Sequence, residues 1–179
     1  NSQVERCNEI LKRLTLNPVE EDEFIDKDIN IRDYLHEIIS SFKEISKKEF
    51  VFNFDQDSNP KKISKSIEIV YGLRNFIGNA NKFAKNSIFI NLKSDSEFTE
   101  LTIEDDGNGY PRDIISKIGE PYLKSNYSKD KSKEGLGLGL FIGKTLLEKN
   151  FASVNCRNSK TRNGAEVVIR WKNKELFNI

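Results

Sequence analysis

A chain of 179 residues has room for one ordinary domain with a short appendage, or for two very small domains. Its 36% hydrophobic and 32% charged residues allow a core without surplus, and 29 Lys and Arg against 28 Asp and Glu leave no global attraction to nucleic acid or anionic lipid. No apolar run approaches the ~20 residues of a membrane span, residues 1–9 are not a signal peptide, and Cys7 and Cys156 make no disulfide framework and suit a reducing, cytoplasmic compartment.

In chain order, Val4, Cys7, Ile10, Leu11 and Leu14 share one face of a helix over residues 1–16, which Asn17-Pro18 ends. That helix has nothing of its own to pack against, and the chain opens in mid-pattern without Met, as a piece of a longer protein would. Residues 17–29 are acidic and read as a linker to a domain over 30–179. Ile31, Leu35, Ile38, Ile39, Phe42 and Ile45 mark an amphipathic helix of about four turns. Residues 49–54 alternate as a half-buried strand, with a loop over 55–62 after it. A long helical pattern follows over 64–85, then two strands of a meander over 87–94 and 100–105. Residues 106–134 are turn-rich and lysine-rich, with one short helical piece near 114–118. Residues 136–149 are apolar enough for a buried helix, and strands over 151–157 and 165–171 flank the polar turn 158–164. Five strands and three main helices predict an α+β layered domain of about 150 residues.

Three stretches carry chemistry. On the helix over 65–85, Asn75, Asn79 and Lys82 stand at i, i+4 and i+7, opposite the apolar face of Ile69, Leu73, Phe76, Ile77, Ala80 and Ala84. Asn is a middling-to-poor helix former, so two of them stacked there suggest a use; an Asn carbonyl is a hard ligand suited to Mg²⁺, and Lys can meet phosphate. A merely solvated face is the alternative. Asp105-Asp106-Gly107-Asn108-Gly109 follows a strand, where a carboxylate can accept from an exocyclic amine and glycines allow close approach to a ligand; an ordinary Asn-Gly turn would look the same. Gly135-Leu136-Gly137-Leu138-Gly139-Leu140 enters a helix, a standing phosphate site or a structural glycine loop. It is not a Walker A loop, because Leu138 stands where the first Gly before Gly143-Lys144-Thr145 is required, and no strand precedes it as a dinucleotide fingerprint demands.

Taken in order, the Asn-bearing helix, D-x-G-x-G after a strand, the basic loop and G-x-G-L-G-L resemble the GHKL ATP-binding superfamily, and within it the catalytic domain of sensor histidine kinases over residues 30–172. The stretches QVERCNEIL, IGEPYLKS and GLGLGLFIGKTLLEKNFA look most like the RegB/PrrB-type redox-responsive kinases. The resemblance implies a Bergerat α/β sandwich, a mixed sheet of about five strands with helices on one face, preceded by the end of the second dimerisation helix at residues 1–16.

By the same resemblance, the N box matches at Asn75, Asn79, Ala80, Lys82 and Phe83, with Asn79 holding Mg²⁺, Asn75 assisting and Lys82 meeting phosphate. Asp105, Gly107 and Gly109 match the G1 box, Asp105 as adenine reader, and Gly135, Gly137, Leu138, Gly139 and Leu140 the G2 box. Residues 112–134 match the lid over the nucleotide, with Tyr122 and Lys124 in its F-box-like part. ATP and Mg²⁺, a phosphoacceptor histidine on dimerisation helices upstream, a homodimer and a response regulator follow as expectations, membrane anchoring being left open, with Cys7 in the RCxxIL context as a candidate redox thiol or else a small core residue.

Three positions depart from the family pattern: Ile118 replaces the F-box Phe, Asn108-Gly109-Tyr110 replaces Pro-Gly-Ile, and Ala165 follows Gly164 where many relatives carry Thr or Ser beside the adenine-reading Asp. His36-Glu37 imitates a phosphoacceptor box, but it stands too close to Asn79, lacks the Pro that follows such a box, and reads as a surface histidine. Residues 55–59 start like a calcium loop, but Pro60 and Ser66 replace the Gly and Glu such a loop needs. Asn75, where ATP-hydrolysing relatives carry a water-activating Glu, favours phosphoryl transfer over hydrolysis. A GHKL ATPase, a serine kinase or a nucleotide-binding pseudokinase are the competing readings.

Overall fold

The computed structural model describes residues 29–55, 62–63, 66–122 and 137–176. The predicted helix over 1–16, the linker up to residue 28 and Cys7 lie outside them. Asn30 caps α1 (Ile31–Lys43), its side chain accepting from the Arg32 amide at 2.9 Å, the bond an N-terminal turn otherwise lacks. Ile31, Tyr34, Leu35, Ile38 and Ile39 then recur on one face, and all are buried. Tyr34 donates its hydroxyl to the Ser66 carbonyl at 2.9 Å, so α1 fixes the entry of α2 (Ile67–Phe83). Burial pushes the Tyr34 phenol above its ordinary value.

The main sheet runs β2–β4–β5–β7–β6, with β2 (Glu49–Phe54), β4 (Ser87–Ser94), β5 (Phe98–Asp105), β6 (Ser153–Asn158) and β7 (Ala165–Lys172). β2 pairs parallel with β4 because α2 crosses between them; the other pairings of this sheet are antiparallel, giving the mixed sheet that the family resemblance implies. Ile88, Ile90, Leu92, Leu101, Ile103, Val167, Ile169 and Trp171 point to one face and form the core with α1 and α2. Burying each such side chain contributes roughly 1.5–3 kcal/mol. On the opposite face Arg162 stacks on Phe89 and Arg170 on Phe98, 3.5 and 3.7 Å from the ring centroids, so charged side chains cover it.

α3 (Gly139–Lys149) packs on α2 through glycine: a β-carbon at Gly72 would lie 2.7 Å from Leu147 Cγ, and one at Gly143 3.0 Å from the Phe76 ring. Only Gly143 and Leu147 of α3 are buried, whereas Leu140, Phe141, Ile142 and Leu146 stay half-exposed. The sequence reading had these apolar residues buried; a helix held along one narrow glycine stripe leaves them at its rim.

Three short elements escape the sequence pattern. Ile29, assigned there to the linker, belongs to β1 (Ile29–Asn30), which pairs antiparallel with β3 (Lys62–Ile63), a segment read as loop and pre-helix. After β7 comes α4 (Asn173–Leu176), anchored where the Asn173 side chain accepts from Thr99 at 2.7 Å and donates to the Asp95 carbonyl at 2.8 Å. His36 is exposed, its ring edge-on to Phe52 at 4.7 Å, a surface histidine as expected.

Candidate functional site

Asp105 ends β5 and is 2% exposed. Its Oδ1 accepts from the Gly107 amide at 2.8 Å and the Ala165 amide at 3.3 Å. Both bonds use the same oxygen, so the carboxylate is oriented and Oδ2 is left to neither. Burial pushes the Asp105 carboxyl above its ordinary value; the Gly107 and Ala165 amides and the Lys48 ammonium pull it back, and Asp106 pushes it further up. Any residue at 165 would offer that amide, so Ala165 adds no side-chain hydroxyl beside Asp105.

The glycines around Asp105 work by close approach. A β-carbon at Gly107 would lie 2.5 Å from the Phe83 carbonyl oxygen, so the G1 turn rests directly on the last turn of α2. Gly109 has φ +73°, a left-handed conformation that favours glycine. Asn158 grips the next residue, accepting from the Tyr110 amide at 2.6 Å and donating to its carbonyl at 3.1 Å. The Tyr110 side chain is buried, with its hydroxyl beside the Cys156 thiol.

Asn75 and Asn79 lie on the half-buried side of α2, away from its core stripe. Asn75 donates its amide to the Tyr71 carbonyl at 2.8 Å, which leaves its oxygen facing the start of α3, where a β-carbon at Gly139 would lie 3.4 Å from it. The N box and G2 box, 60 residues apart in the chain (Asn75 to Gly135), therefore meet in space through Asn75 and Gly139. The Asn79 side chain makes no hydrogen bond among the described residues, so its carbonyl is available to a ligand. Lys82 and Phe83 are exposed, the ammonium 5.4 Å from the ring centroid. Gly137 (φ +69°), Leu138, Gly139 and Leu140 lead into α3, with Gly139 beside Asn75.

The 3₁₀ turn Ile115–Lys117 opens the segment that the sequence reads as a lid, and Ile115 and Ile118 pack against the core, Ile118 doing so without the Phe of relatives. Tyr122 is 69% exposed. Lys124, Gly135 and the other residues of 123–136 lie outside the described residues.

Sequence reasoning missed Asp106, Lys48 and Gly164. Asp106 accepts from the Lys85 amide at 2.7 Å and the Asn86 amide at 3.0 Å. Although burial opposes it, the Asn86, Ser87 and Lys85 backbone bonds hold its carboxyl below its ordinary value. An acid beside Asp105 was visible in the sequence, but nothing there assigned it to the turn after α2. No group of three or more His, Cys, Asp or Glu able to hold a metal ion occurs among the described residues. A divalent ion here would rest on amide oxygens, phosphate and water, a donor set that suits Mg²⁺.

Residues 64–175 match the family described as histidine kinase-, DNA gyrase B- and HSP90-like ATPase. The sensor histidine kinase RegB of Cereibacter sphaeroides is 39% identical over 97 residues, covering 51% of this chain and 21% of that protein. A putative sensor histidine kinase NtrY-like of Rickettsia bellii is 29% identical over 106 residues, 57% of this chain and 16% of the relative. The chain thus spans about a fifth of the length of the curated relatives it matches. Among solved structures, a mycobacterial sensor histidine kinase MprB superposes with TM-score 0.68 at 19% identity, over 82% of this chain and 97% of that one. The catalytic domain of histidine kinase ThkA gives 0.67 at 19% identity, over 82% and 97%. The fold is the α+β fold of those domains, and no helix among the described residues is long and apolar enough to cross a membrane.

Proposed function

The chain belongs to the histidine kinase-, DNA gyrase B- and HSP90-like ATPase family, and we propose that it is the ATP-binding kinase domain of a two-component sensor histidine kinase, presenting Mg·ATP to a histidine on dimerisation helices. The observation that carries the ATP reading is Asp105: buried, oriented through Oδ1 by two backbone amides, and free to offer its other oxygen to the exocyclic amine of adenine. A neutral donor–acceptor pair there would be weaker, because a bond to an ionised acceptor is worth about 1.5–3 kcal/mol.

Phosphate would lie between the two asparagines, Lys82 and the glycine-rich start of α3, whose first amides have no partner within the helix. Asn79 fits as the protein ligand of a phosphate-bound Mg²⁺, Asn75 as its helper. Bound there, the ion would neutralise phosphate charge, and the residues' own part is to orient the nucleotide. Tyr122 and Lys124 are proposed as lid residues over it. Asn75 also supports transfer over hydrolysis, since an amide cannot take a proton from water.

The remaining parts of the proposal rest on the family alone: residues 1–16 as the end of a dimerisation helix, residues 17–29 as a linker, a homodimer, transfer onward to a response regulator, and Cys7 as a redox-responsive thiol in a cytoplasmic domain.

Incubation with γ-labelled ATP and a dimerisation-helix pair bearing the histidine tests the whole. Acid-labile, base-stable label on that histidine is expected. Steady release of phosphate with no acceptor present would favour the ATPase reading, and ATP binding without either product the pseudokinase.

A further inference from the structure

Lys48 stands in the turn between α1 and β2, outside every motif of the site, yet its ammonium donates to the carbonyls of Asn81 and Ala84, the latter at 2.6 Å. The last carbonyls of a helix have no partner within it, and a cation there also meets the negative end of the helix dipole. The same turn holds Asn81 a second way. Ser46 donates its hydroxyl to Asn81 Oδ1 at 2.7 Å and accepts from the Lys48 amide at 3.1 Å. On the other side of the α2 terminus, Asp106 takes the Lys85 and Asn86 amides, and Gly107 abuts the Phe83 carbonyl. The last turn of α2 is therefore clamped between the Lys48 turn and the loop that carries Asp105.

Resting on the reading of Asp105 as the base reader and Asn79 as the metal ligand, we infer that Lys48 is a positioning residue for nucleotide binding, fixing the end of α2 against residues 105–107 so that both side chains reach one nucleotide. The structural reason is that Asn79 lies in the same last turns of α2 as the capped carbonyls of Asn81 and Ala84, while Asp105 stands two residues before the glycine that rests on α2.

Lys48 has a second, electrostatic effect that a mere structural brace would lack. The charged and titratable groups acting on Asp105 are Asp106, Lys48 and the Tyr110 hydroxyl. Burial and Asp106 push the carboxyl up, and Lys48 draws it down. Without the ammonium, Asp105 takes up its proton at higher pH, and binding that needs the carboxylate fails sooner on acidification.

Calorimetric titration of the 179-residue chain with adenosine and with Mg·ATP between about pH 5 and pH 8 tests this. Adenosine has no phosphate to titrate, so its profile reports the base site. Lys48→Met is expected to weaken both ligands on the order of tenfold and to move the acid limb of adenosine binding upward. Lys48→Arg, which keeps cation and donors, is expected to restore affinity and profile together. Lys48→Gln carries the test if Lys48→Met does not fold. Wild-type affinity with an unshifted profile overturns the inference. So does a loss without a shift that Ile169→Val, a change in the sheet centre, reproduces at equal loss of Tm. A wild-type chain that binds neither ligand overturns the functional reading and this inference with it, whereas binding by wild type and unchanged variants overturns this inference alone.

Discussion

A β-carbon at Gly164 would fall 1.8 Å from the carbonyl oxygen of Asp105 and 2.6 Å from its Oδ1, so the turn before β7 is seated on the Asp105 backbone. The polar turn holds that seat from outside. Ser159 donates to buried Glu104 at 2.8 Å, and its hydroxyl accepts from the Arg162 amide at 3.0 Å. Gly164→Ala must therefore part β5 from β7 at the site itself. Overpacking of this kind costs about 1–3 kcal/mol. The variant is expected to lose Tm and at least tenfold in ATP affinity. Gly78→Ala is the contrast, since its β-carbon would make ordinary contact with Phe42 at 3.6 Å inside a helix. That change should raise Tm, by up to about 1 kcal/mol of stability, and leave ATP affinity alone. Thermal melts and titrations on both variants read the difference.

Asn79→Ala separates the metal from the base. Asn79 has no hydrogen bond to lose among the described residues, so its removal should cost little stability. ATP affinity measured against Mg²⁺ concentration should lose most of its metal dependence, while adenosine binds as before. An equal loss for adenosine and ATP would instead place Asn79 in the base pocket.

Much of this was legible in the sequence because the informative residues break local rules. Two asparagines on a helix face and glycines after a strand oppose propensity, and the structure brings Asn75 beside Gly139 and Asp105 beside Gly107. The alternating strands and the helical stripes were legible for the same reason that they fold, a single buried face each. What stayed hidden depends on contacts between distant backbones. Lys48 is one lysine in a lysine-rich chain, and only the position of α2 gives it two carbonyls. The Ala165 amide reaches Asp105 only because β7 pairs with β5 there, a contact that no local pattern shows. β1 and β3 are two residues each, too short for any period to show.

Cys156 offers a check on packing at the β6 edge of the sheet. Burial pushes its thiol up to about 11. Since the thiolate is the reactive form, alkylation near pH 8 should run on the order of a hundredfold slower than for an ordinary thiol. Denaturant should restore the normal rate. Mass spectrometry of the modified peptide distinguishes Cys156 from Cys7, and rapid native-state labelling of Cys156 would mean that the β6 edge is open.

The most direct measurement is the affinity of wild type and Asp105→Asn for ATP and GTP. The amide can turn a donor towards the adenine amine, so Asp105→Asn should weaken ATP roughly ten- to a hundredfold, equivalent to about 1.5–3 kcal/mol. GTP carries a carbonyl in place of that amine; it should bind wild type poorly and be little changed by the substitution. If Asp105→Asn binds ATP as tightly as wild type, Asp105 does not read the base and the account of this site is wrong.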